Sequence, residues 1–261
     1  MKLTRTFQVF FVLGCFFAIF SVFYTRGLGS FFWDLSTYLR AIKEFSLGEN
    51  PYNQDATLLF VYHPLVLWFF YFLNELISIK ILFFASLTIS FVFFTRQIRL
   101  LLYSTSQNQS VISIKVFLIL LLGTLSFGGA GLVAILTGNI TVILHFIILG
   151  VLLRFIRIKS RSSFYHFYFL IVLFSIVKPY LLSYLLILFN FEGFKRVATY
   201  ILSATFIFSI LWFSSALLEP SIYNQFLNAL NYQTSNQGDL GYSLFGLLTP
   251  LLGSSLSLVF H

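Results

Sequence analysis

The sequence predicts an all-α, polytopic transmembrane helix bundle, and three observations predict it. Hydrophobic residues make up 59% of the 261 residues, whereas soluble domains are about 45–50% apolar. Charged residues make up only 9%, and the mean hydropathy is +0.93. Apolar runs of about 18 residues or more recur along the chain, and a helix is the structure that satisfies every backbone amide of such a run internally. A transmembrane β-barrel would instead need short strands of alternating apolar and polar residues.

About seven to nine membrane segments are expected, some of them broken or re-entrant. The candidate segments are residues 7–24, 59–77, 80–95, 113–127, 132–153, 164–190 and 197–218, then an apolar stretch at 244–260. The first follows Lys2 and Arg5 and is too long for a signal-peptide core, so we expect an uncleaved signal anchor. The single cysteine, Cys15, lies in this segment and is interpreted as a packing residue. Together, residues 1–261 are expected to form one transmembrane domain.

Two polar segments interrupt the apolar runs, near residues 25–58 and 219–243, and both are expected to be extracytoplasmic loops. Basic clusters mark the cytoplasmic side, because short cytoplasmic loops carry an excess of Lys and Arg. These clusters are Lys2/Arg5, Arg96/Arg99/Lys115, Arg154/Arg157/Lys159/Arg161 and Lys195/Arg196. The net charge of +8 is therefore typical of membrane topology, and nucleic acid is not an expected partner.

The number of simple spans and the basic clusters place the loop at 154–161 on opposite sides of the membrane. With the N-terminus inside, seven simple spans would put this most basic loop outside. Breaks at Gly128–Gly131, Gly138-Asn139 and Lys178-Pro179 offer a solution, because half-helices occur at membrane depth where they are buried in protein or line a watery cavity. We favour a division of 164–190 at Lys178-Pro179 into two short arms, which returns both flanking basic clusters to the cytoplasm.

The first candidate functional residue is Asp34, which follows Trp33 just past the first apolar run. A carboxylate kept at the membrane is costly and is a functional candidate by default. In one interpretation, partial desolvation raises the basicity of this carboxylate and suits it to act as a general base. In the other, it is a carboxylate at the membrane interface beside a tryptophan of the aromatic belt. If this segment is helical, Asp34, Tyr38 and Ala41 share one face through their i, i+4, i+7 spacing.

The second candidate is Tyr62-His63-Pro64. Proline suits the first turn of a helix and pushes the preceding residue out of helical geometry, so Tyr62 and His63 should lie where loop becomes helix. They are interpreted either as an interfacial pair before a helix-starting proline or as the polar edge of a substrate cavity.

Two further candidates lie inside apolar runs. Gly138-Asn139 predicts a bent helix start that faces a ligand or, equally, a polar contact between helices. His145 is a weaker candidate for a direct role. Lys178 lies 17 residues from the nearest basic residue on each side, Arg161 and Lys195, too far to reach water easily. A phosphate is the anion we expect it to meet, and the alternative is an internal carboxylate or carbonyls.

Several common catalytic motifs do not occur. The sequence has no Walker A loop, no HExxH, no CxxC pair, no dinucleotide-binding glycine fingerprint and no G-x-S-x-G elbow. Soluble nucleotide chemistry is therefore not indicated, and the candidate site residues include no metal ligand and imply no cofactor.

The order of these motifs resembles glycosyltransferase family 87, whose members belong to the GT-C superfamily. The resemblance rests on short motifs between about residues 7 and 250: an early loop with Asp34, Tyr38, Ala41, Gly48, Asn50, Pro51 and Tyr52, then "YHP", "TGN", "KP" and, loosely, "NQGDLGYS" at 236–243. Where the family has Tyr-Pro-Pro and Gly-Gln, this chain has His63 and Asn139. It ends at His261 and is short for the family, which leaves a truncated or inactive member open.

The resemblance implies transfer of a hexose, expected to be mannose, from a polyprenyl-phosphate donor to a glycan or glycolipid acceptor on the extracytoplasmic face. It implies Asp34 as the catalytic base and Tyr38, Tyr62, His63, Asn139 and Lys178 as substrate-binding residues. Membrane lipids are expected partners, in a multi-pass protein of a bacterial inner membrane. The alternatives are a non-catalytic carrier or flippase for a lipid-linked substrate, which broken helices and a buried lysine also fit, and a structural subunit.

Overall fold

The structure, a computed structural model, describes residues 32–53, 59–105 and 130–235. The segments expected at 7–24, 113–127 and 244–260, Cys15 and the 236–243 motif lie outside these residues. All regular structure within the described residues is helical, as the composition predicts. The elements are α1 (Trp33–Ser46), α2 (Pro64–Leu76), α3 (Ile79–Thr105), α4 (Ala130–Thr137), α5 (Thr141–Ile158), α6 (Arg161–Ser175), a 3₁₀ helix (Pro179–Asn190), α7 (Phe194–Leu218) and α8 (Pro220–Ser235).

Three helices in the described part of the chain are long and apolar enough to cross a membrane. They are α3 over Ile79–Leu101, α5 over Thr141–Ile158 and α7 over Phe194–Leu218. These helices indicate a membrane protein, whereas the expected seven to nine segments stay a prediction.

Of the three predicted breaks, that at Gly128–Gly131 begins outside the described residues, and the other two are present. The apolar run at 132–153 is divided at Gly138-Asn139 into α4 and α5, and the run at 164–190 is divided before Pro179 into α6 and the 3₁₀ helix. The polar segments at 25–58 and 219–243 each contain a helix, α1 and α8. Both helices are amphipathic, and α1 buries Leu35, Tyr38, Ala41 and Ile42 on one side.

The chain divides into two compact units. Unit 1 comprises Met1–Ser36 and Lys80–Ser160, and unit 2 comprises Thr37–Ile79 and Arg161–His261.

In unit 1, α3 and α5 run in the same direction. Contacts advance together along both helices, pairing Phe91 with Phe146 (5.5 Å between ring centroids), Phe93 with Gly150, and Gln97 with Arg157. Gly150 permits the close approach, because a Cβ there would lie 2.5 Å from the Phe93 ring. The C-terminal ends of the two helices, with their basic residues, therefore lie at the same end of unit 1.

The turn between α4 and α5 lies at the other end of unit 1. The amide of Asn139 donates to the Ala134 carbonyl (2.8 Å) and that of Gly138 to the Ile135 carbonyl (3.2 Å), the two hydrogen bonds of a Schellman C-cap. Gly138 has φ +75°, which glycine adopts without steric cost. The amide of Phe32 donates to the Leu136 carbonyl (2.8 Å), so the start of α1 is hydrogen-bonded to this turn.

In unit 2, α6 and the 3₁₀ helix form a hairpin with Lys178 at its tip. The rings of Phe164 and Tyr200, near the starts of α6 and α7, are 4.7 Å apart, and the 3₁₀ helix packs against both helices. The chain must therefore return along α6 after Lys178. Since the 15 residues of α6 span roughly 22 Å, Lys178 lies far from the basic residues that begin α6 and α7.

Candidate functional site

The six predicted site residues fall into two groups. Asp34 and Asn139 belong to unit 1, whereas Tyr38, Tyr62, His63 and Lys178 belong to unit 2. Tyr38 lies one turn after Asp34 on the same helix, α1.

Three residues of unit 2 that are distant in sequence meet at the hairpin tip. The Nζ of Lys178 lies 4.7 Å from the centroid of the Tyr62 ring, within the range of a cation–π interaction. The hydroxyl oxygens of Tyr62 and Tyr38 are 2.8 Å apart and share a hydrogen bond. We call Tyr38, Tyr62 and Lys178 the tyrosine–lysine cluster. It brings together α1, the loop before α2 and the hairpin.

Aromatic side chains enclose this cluster. Tyr38 contacts the rings of Phe60 (6.4 Å) and Phe70 (5.3 Å), and it is only 2% exposed. The Tyr52 hydroxyl donates to the Tyr62 carbonyl (2.9 Å), which fixes the backbone where the Tyr62 side chain begins. Burial raises the pKa of Tyr52 well above its usual value, so its hydroxyl stays protonated and remains a donor at neutral pH.

His63 holds the loop before α2 against α7. Its φ of −53° and ψ of 145° are extended, as expected before proline, and it is the N-cap of α2 with Pro64 in the first turn. The Leu65 amide donates to its Nδ1 (3.3 Å), so the neutral ring carries its proton on Nε2, which donates to the Trp212 carbonyl (2.8 Å). This confirms that Tyr62 and His63 lie where loop becomes helix.

The environment of His63 points to an anchoring role. The residue is 1% exposed, its ring lies 4.4 Å from that of Trp212, and its Nε2 is 3.1 Å from the Ser215 hydroxyl. It precedes α2 and lies outside the three candidate spans. Burial lowers the pKa of His63 to about 4, and its bond to the Trp212 carbonyl offsets only part of that shift. The ring is therefore neutral at pH 7 and ties α2 to α7, and both nitrogens are engaged within the protein.

In unit 1, Asp34 lies in the first turn of α1, where a carboxylate is favoured by the partial positive charge of the helix N-terminus. Its neighbours Phe32 and Leu35 touch the Gly138 turn, and a Cβ on Gly138 would lie 2.9 Å from that of Leu35. Asp34 is half-buried. The start of α1 and the Gly138-Asn139 turn, predicted as separate candidates, are therefore neighbours.

Asn139 closes the start of α5. Its Oδ1 accepts a hydrogen bond from the Thr141 amide (3.0 Å) and another from the Thr141 hydroxyl. One amide oxygen thus serves a backbone donor at the beginning of the helix, as asparagine commonly does in turns. This contact is local, and it accounts for the break after Gly138.

Two residues that complete the site have no signal in the sequence. Trp212 and Ser215 lie in the last two turns of α7, 149 and 152 residues after His63. A tryptophan and a serine in an apolar helix are typical of packing, and only the folded structure brings them to His63.

The described ranges hold no group of three His, Cys, Asp or Glu side chains that could bind a metal ion. The arrangement of unit 2 instead offers one ammonium group beside two hydroxyls within aromatic walls. Such a set is suited to an anion carried on an apolar molecule, because ammonium and hydroxyl groups both donate to phosphate oxygens.

Fold and cluster together define a helical membrane protein with a lysine beside buried tyrosines. Comparisons with protein-family models, curated proteins and solved structures find no match to this chain. Membership of glycosyltransferase family 87 therefore stays a prediction that rests on the motifs.

Proposed function

We propose that this protein is a multi-pass GT-C-type glycosyltransferase of a bacterial inner membrane, which transfers a hexose from a polyprenyl phosphate to a glycan or glycolipid hydroxyl on the extracytoplasmic face. Mannose is the proposed sugar. The observation that carries the proposal is the tyrosine–lysine cluster, in which the Lys178 ammonium lies on the Tyr62 ring and the Tyr62 hydroxyl meets that of Tyr38.

The cluster suits the phosphate of a lipid-linked donor. Lys178 has three N–H donors and a full charge, and the ring of Tyr62 occupies one side of the ammonium. A phosphate oxygen accepts hydrogen bonds from such an ammonium, and the aromatic walls exclude water, which strengthens the attraction between the charges. Polyprenyl chains are apolar and reach such a site from the bilayer.

Charge placement within each unit supports an extracytoplasmic reaction. In unit 1, the turn beside Asp34 lies at the opposite end of α5 from Arg154 and Arg157. In unit 2, Lys178 lies at the opposite end of α6 from Arg161. Because basic residues mark the cytoplasmic side, the polarity of each unit supports an extracytoplasmic position for its candidate residues.

In the proposed reaction, the acceptor oxygen attacks the anomeric carbon and the Asp34 carboxylate takes the hydroxyl proton. The glycosidic bond forms as the bond from the anomeric carbon to the phosphate oxygen breaks, with inversion at that carbon. The electron pair goes to the polyprenyl phosphate, whose added negative charge Lys178 stabilises. Phosphate leaves without protonation, so one carboxylate is enough, in contrast to the two used in glycoside hydrolysis.

The test is transfer from a radiolabelled polyprenyl-phosphate mannose in proteoliposomes that contain the full chain. Asp34→Asn should lower the transfer rate roughly 10²- to 10⁴-fold, the usual contribution of a general base. The matched control is Glu44→Gln, which removes a carboxylate from the same helix, where it pairs with Arg40 at 3.6 Å. Glu44→Gln should keep the wild-type rate, and equal losses in both variants would overturn the role of Asp34.

A second set of variants tests the phosphate site. Lys178→Gln should weaken donor binding roughly 10-fold or more, because a charged hydrogen bond is lost. Tyr62→Phe keeps the ring under Lys178 and should weaken donor binding less than Tyr62→Leu. Donor translocation across the bilayer without transfer, by the wild-type protein, would establish the carrier function instead.

A further inference from the structure

All of the net positive charge belongs to unit 1. The sequence of unit 1 contains ten Lys or Arg residues against one acidic residue, Asp34, a net charge of +9. Unit 2 contains six Lys or Arg against seven Asp or Glu, a net charge of −1. The single carboxylate of unit 1 lies beside the Gly138 turn, at the end of the unit that is far from most of its described cations.

Five of these cations occupy one end of the parallel helices α3 and α5. We call them the basic rim: Arg96, Arg99, Arg154, Arg157 and Lys159. The Nη2 of Arg157 lies 3.5 Å from the Gln97 Oε1, so the two halves of the rim are in contact. Gln97 is buried and uncharged, and the whole segment 80–160 contains no Asp or Glu. Within the described residues, the Nε of Arg157 is also buried without a hydrogen-bond partner.

The surface next to the rim is apolar. Ile89, Val92 and Arg96 share one face of α3 through their i, i+3, i+7 spacing, and Ile89 is 68% and Val92 56% exposed. Ile158, between Arg157 and Lys159 in sequence, is 44% exposed. Both helices are long enough to cross a membrane. The exposed stripe on α3 therefore runs within the bilayer up to a group of cations at its surface.

We propose that the basic rim binds the headgroup of an anionic phospholipid, with the phosphate at Arg96, Arg154 and Arg157 and an acyl chain along Ile89 and Val92. A phospholipid is the ligand whose phosphate and acyl chain match adjacent cations and apolar residues in this order. The excess positive charge of unit 1 supplies the attraction, at about 1 kcal/mol for each Lys or Arg near the membrane surface. This site is separate from the proposed transferase residues and does not depend on them.

Native mass spectrometry of the full chain in a neutral detergent tests the proposal. Phosphatidylglycerol and phosphatidylcholine with the same acyl chains are titrated separately. The wild-type protein should retain phosphatidylglycerol at least about 10-fold more tightly, because only this headgroup carries net negative charge. Equal retention of the two lipids would overturn the proposal without any variant.

Variants locate the site. Arg154→Gln with Arg157→Gln should weaken phosphatidylglycerol binding about 30-fold, and the exposed Arg96→Gln alone about 5-fold. The matched control is Lys195→Gln with Arg196→Gln, which removes two charges from unit 2, where Arg196 already pairs with Glu192 at 3.0 Å. An equal loss in the control, or unchanged binding in Arg96→Gln and in the double variant, would contradict the proposal. Size-exclusion profiles show whether each variant is folded.

Discussion

At the scale of single residues, the sequence identified three members of one cluster without showing that they meet. Tyr38, Tyr62 and Lys178 are separated by more than 20 residues. Lys178 is a candidate because a charge is costly near hydrocarbon, whereas Tyr38 and Tyr62 belong to the motifs that resemble the family. Their contacts depend on the packing of the α6 hairpin, which no local pattern specifies. The same limit applies to His63, whose anchoring partner Trp212 lies on α7.

The buried imidazole of His63 should make stability depend on pH. Its pKa of about 4 in the folded protein is below the ordinary value of 6.5, so the unfolded chain binds more protons between these two values. The stabilisation is therefore complete above about pH 6.5 and is lost as the pH falls toward 4. Thermal unfolding in detergent at a series of pH values should show a lower midpoint temperature as the pH falls from about 6.5 toward 4.

His63→Asn separates this titration from the rest of the site. Asparagine keeps an N-cap acceptor for the Leu65 amide but cannot take up a proton. The variant should unfold at a lower temperature at pH 7.5, because the bond to Trp212 is lost, yet its midpoint should change less between pH 6.5 and pH 4. His166→Asn is the matched control, at an exposed histidine, and should keep the wild-type pH profile. An unchanged profile in His63→Asn would contradict the assignment.

At the scale of elements, the breaks could be predicted and the amphipathic helices could not. Gly138-Asn139 and Lys178-Pro179 act through local chemistry, a left-handed φ in one case and a missing amide in the other. The helices α1 and α8 have polar compositions that are typical of loops. Each becomes a helix because it buries one apolar face on neighbouring elements, and that packing depends on residues far away in sequence.

Two glycines separate the two reasons for which a helix end can require glycine, namely a left-handed backbone conformation and a lack of space for a side chain. Gly48 and Gly138 each follow a helix in a Schellman motif, with φ of +73° and +75°. A Cβ on Gly48 would meet no atom within 4 Å, whereas one on Gly138 would lie 2.9 Å from the Leu35 Cβ and 3.4 Å from its amide nitrogen. Only the second glycine is therefore needed for space as well as for conformation.

Alanine at the two positions should have unequal effects. Gly48→Ala should cost about 1–2 kcal/mol in the free energy of unfolding, the cost of a left-handed conformation. Gly138→Ala should cost roughly 1–3 kcal/mol more, because the start of α1 must also move away. Equilibrium unfolding of both variants in the same detergent measures the difference. Equal destabilisation would show that the contact with α1 does not constrain the turn.

At the scale of the whole molecule, a basic cluster and the predicted site residues lie at opposite ends of α5 in unit 1 and of α6 in unit 2. In unit 1, the parallel direction of α3 and α5 puts Arg96 and Arg154 at the same end. In unit 2, the hairpin returns the chain from Lys178 toward Lys195. The sequence predicted that the apolar run 164–190 divides at Lys178-Pro179, because simple spans would place the most basic loop outside the cell.

This polarity predicts which positions face the cytoplasm. The chain has one cysteine, so Cys15→Ser provides a background in which single cysteines can be labelled with a membrane-impermeant maleimide. Lys159→Cys in unit 1 and Lys195→Cys in unit 2 should react only after the membrane is opened. Ser36→Cys and Glu219→Cys, at exposed positions in the two segments expected outside, should react in intact cells. Each unit thus carries its own matched pair. Labelling of Ser36→Cys and Lys159→Cys from the same side would contradict the orientation of unit 1, and with it an extracytoplasmic Asp34.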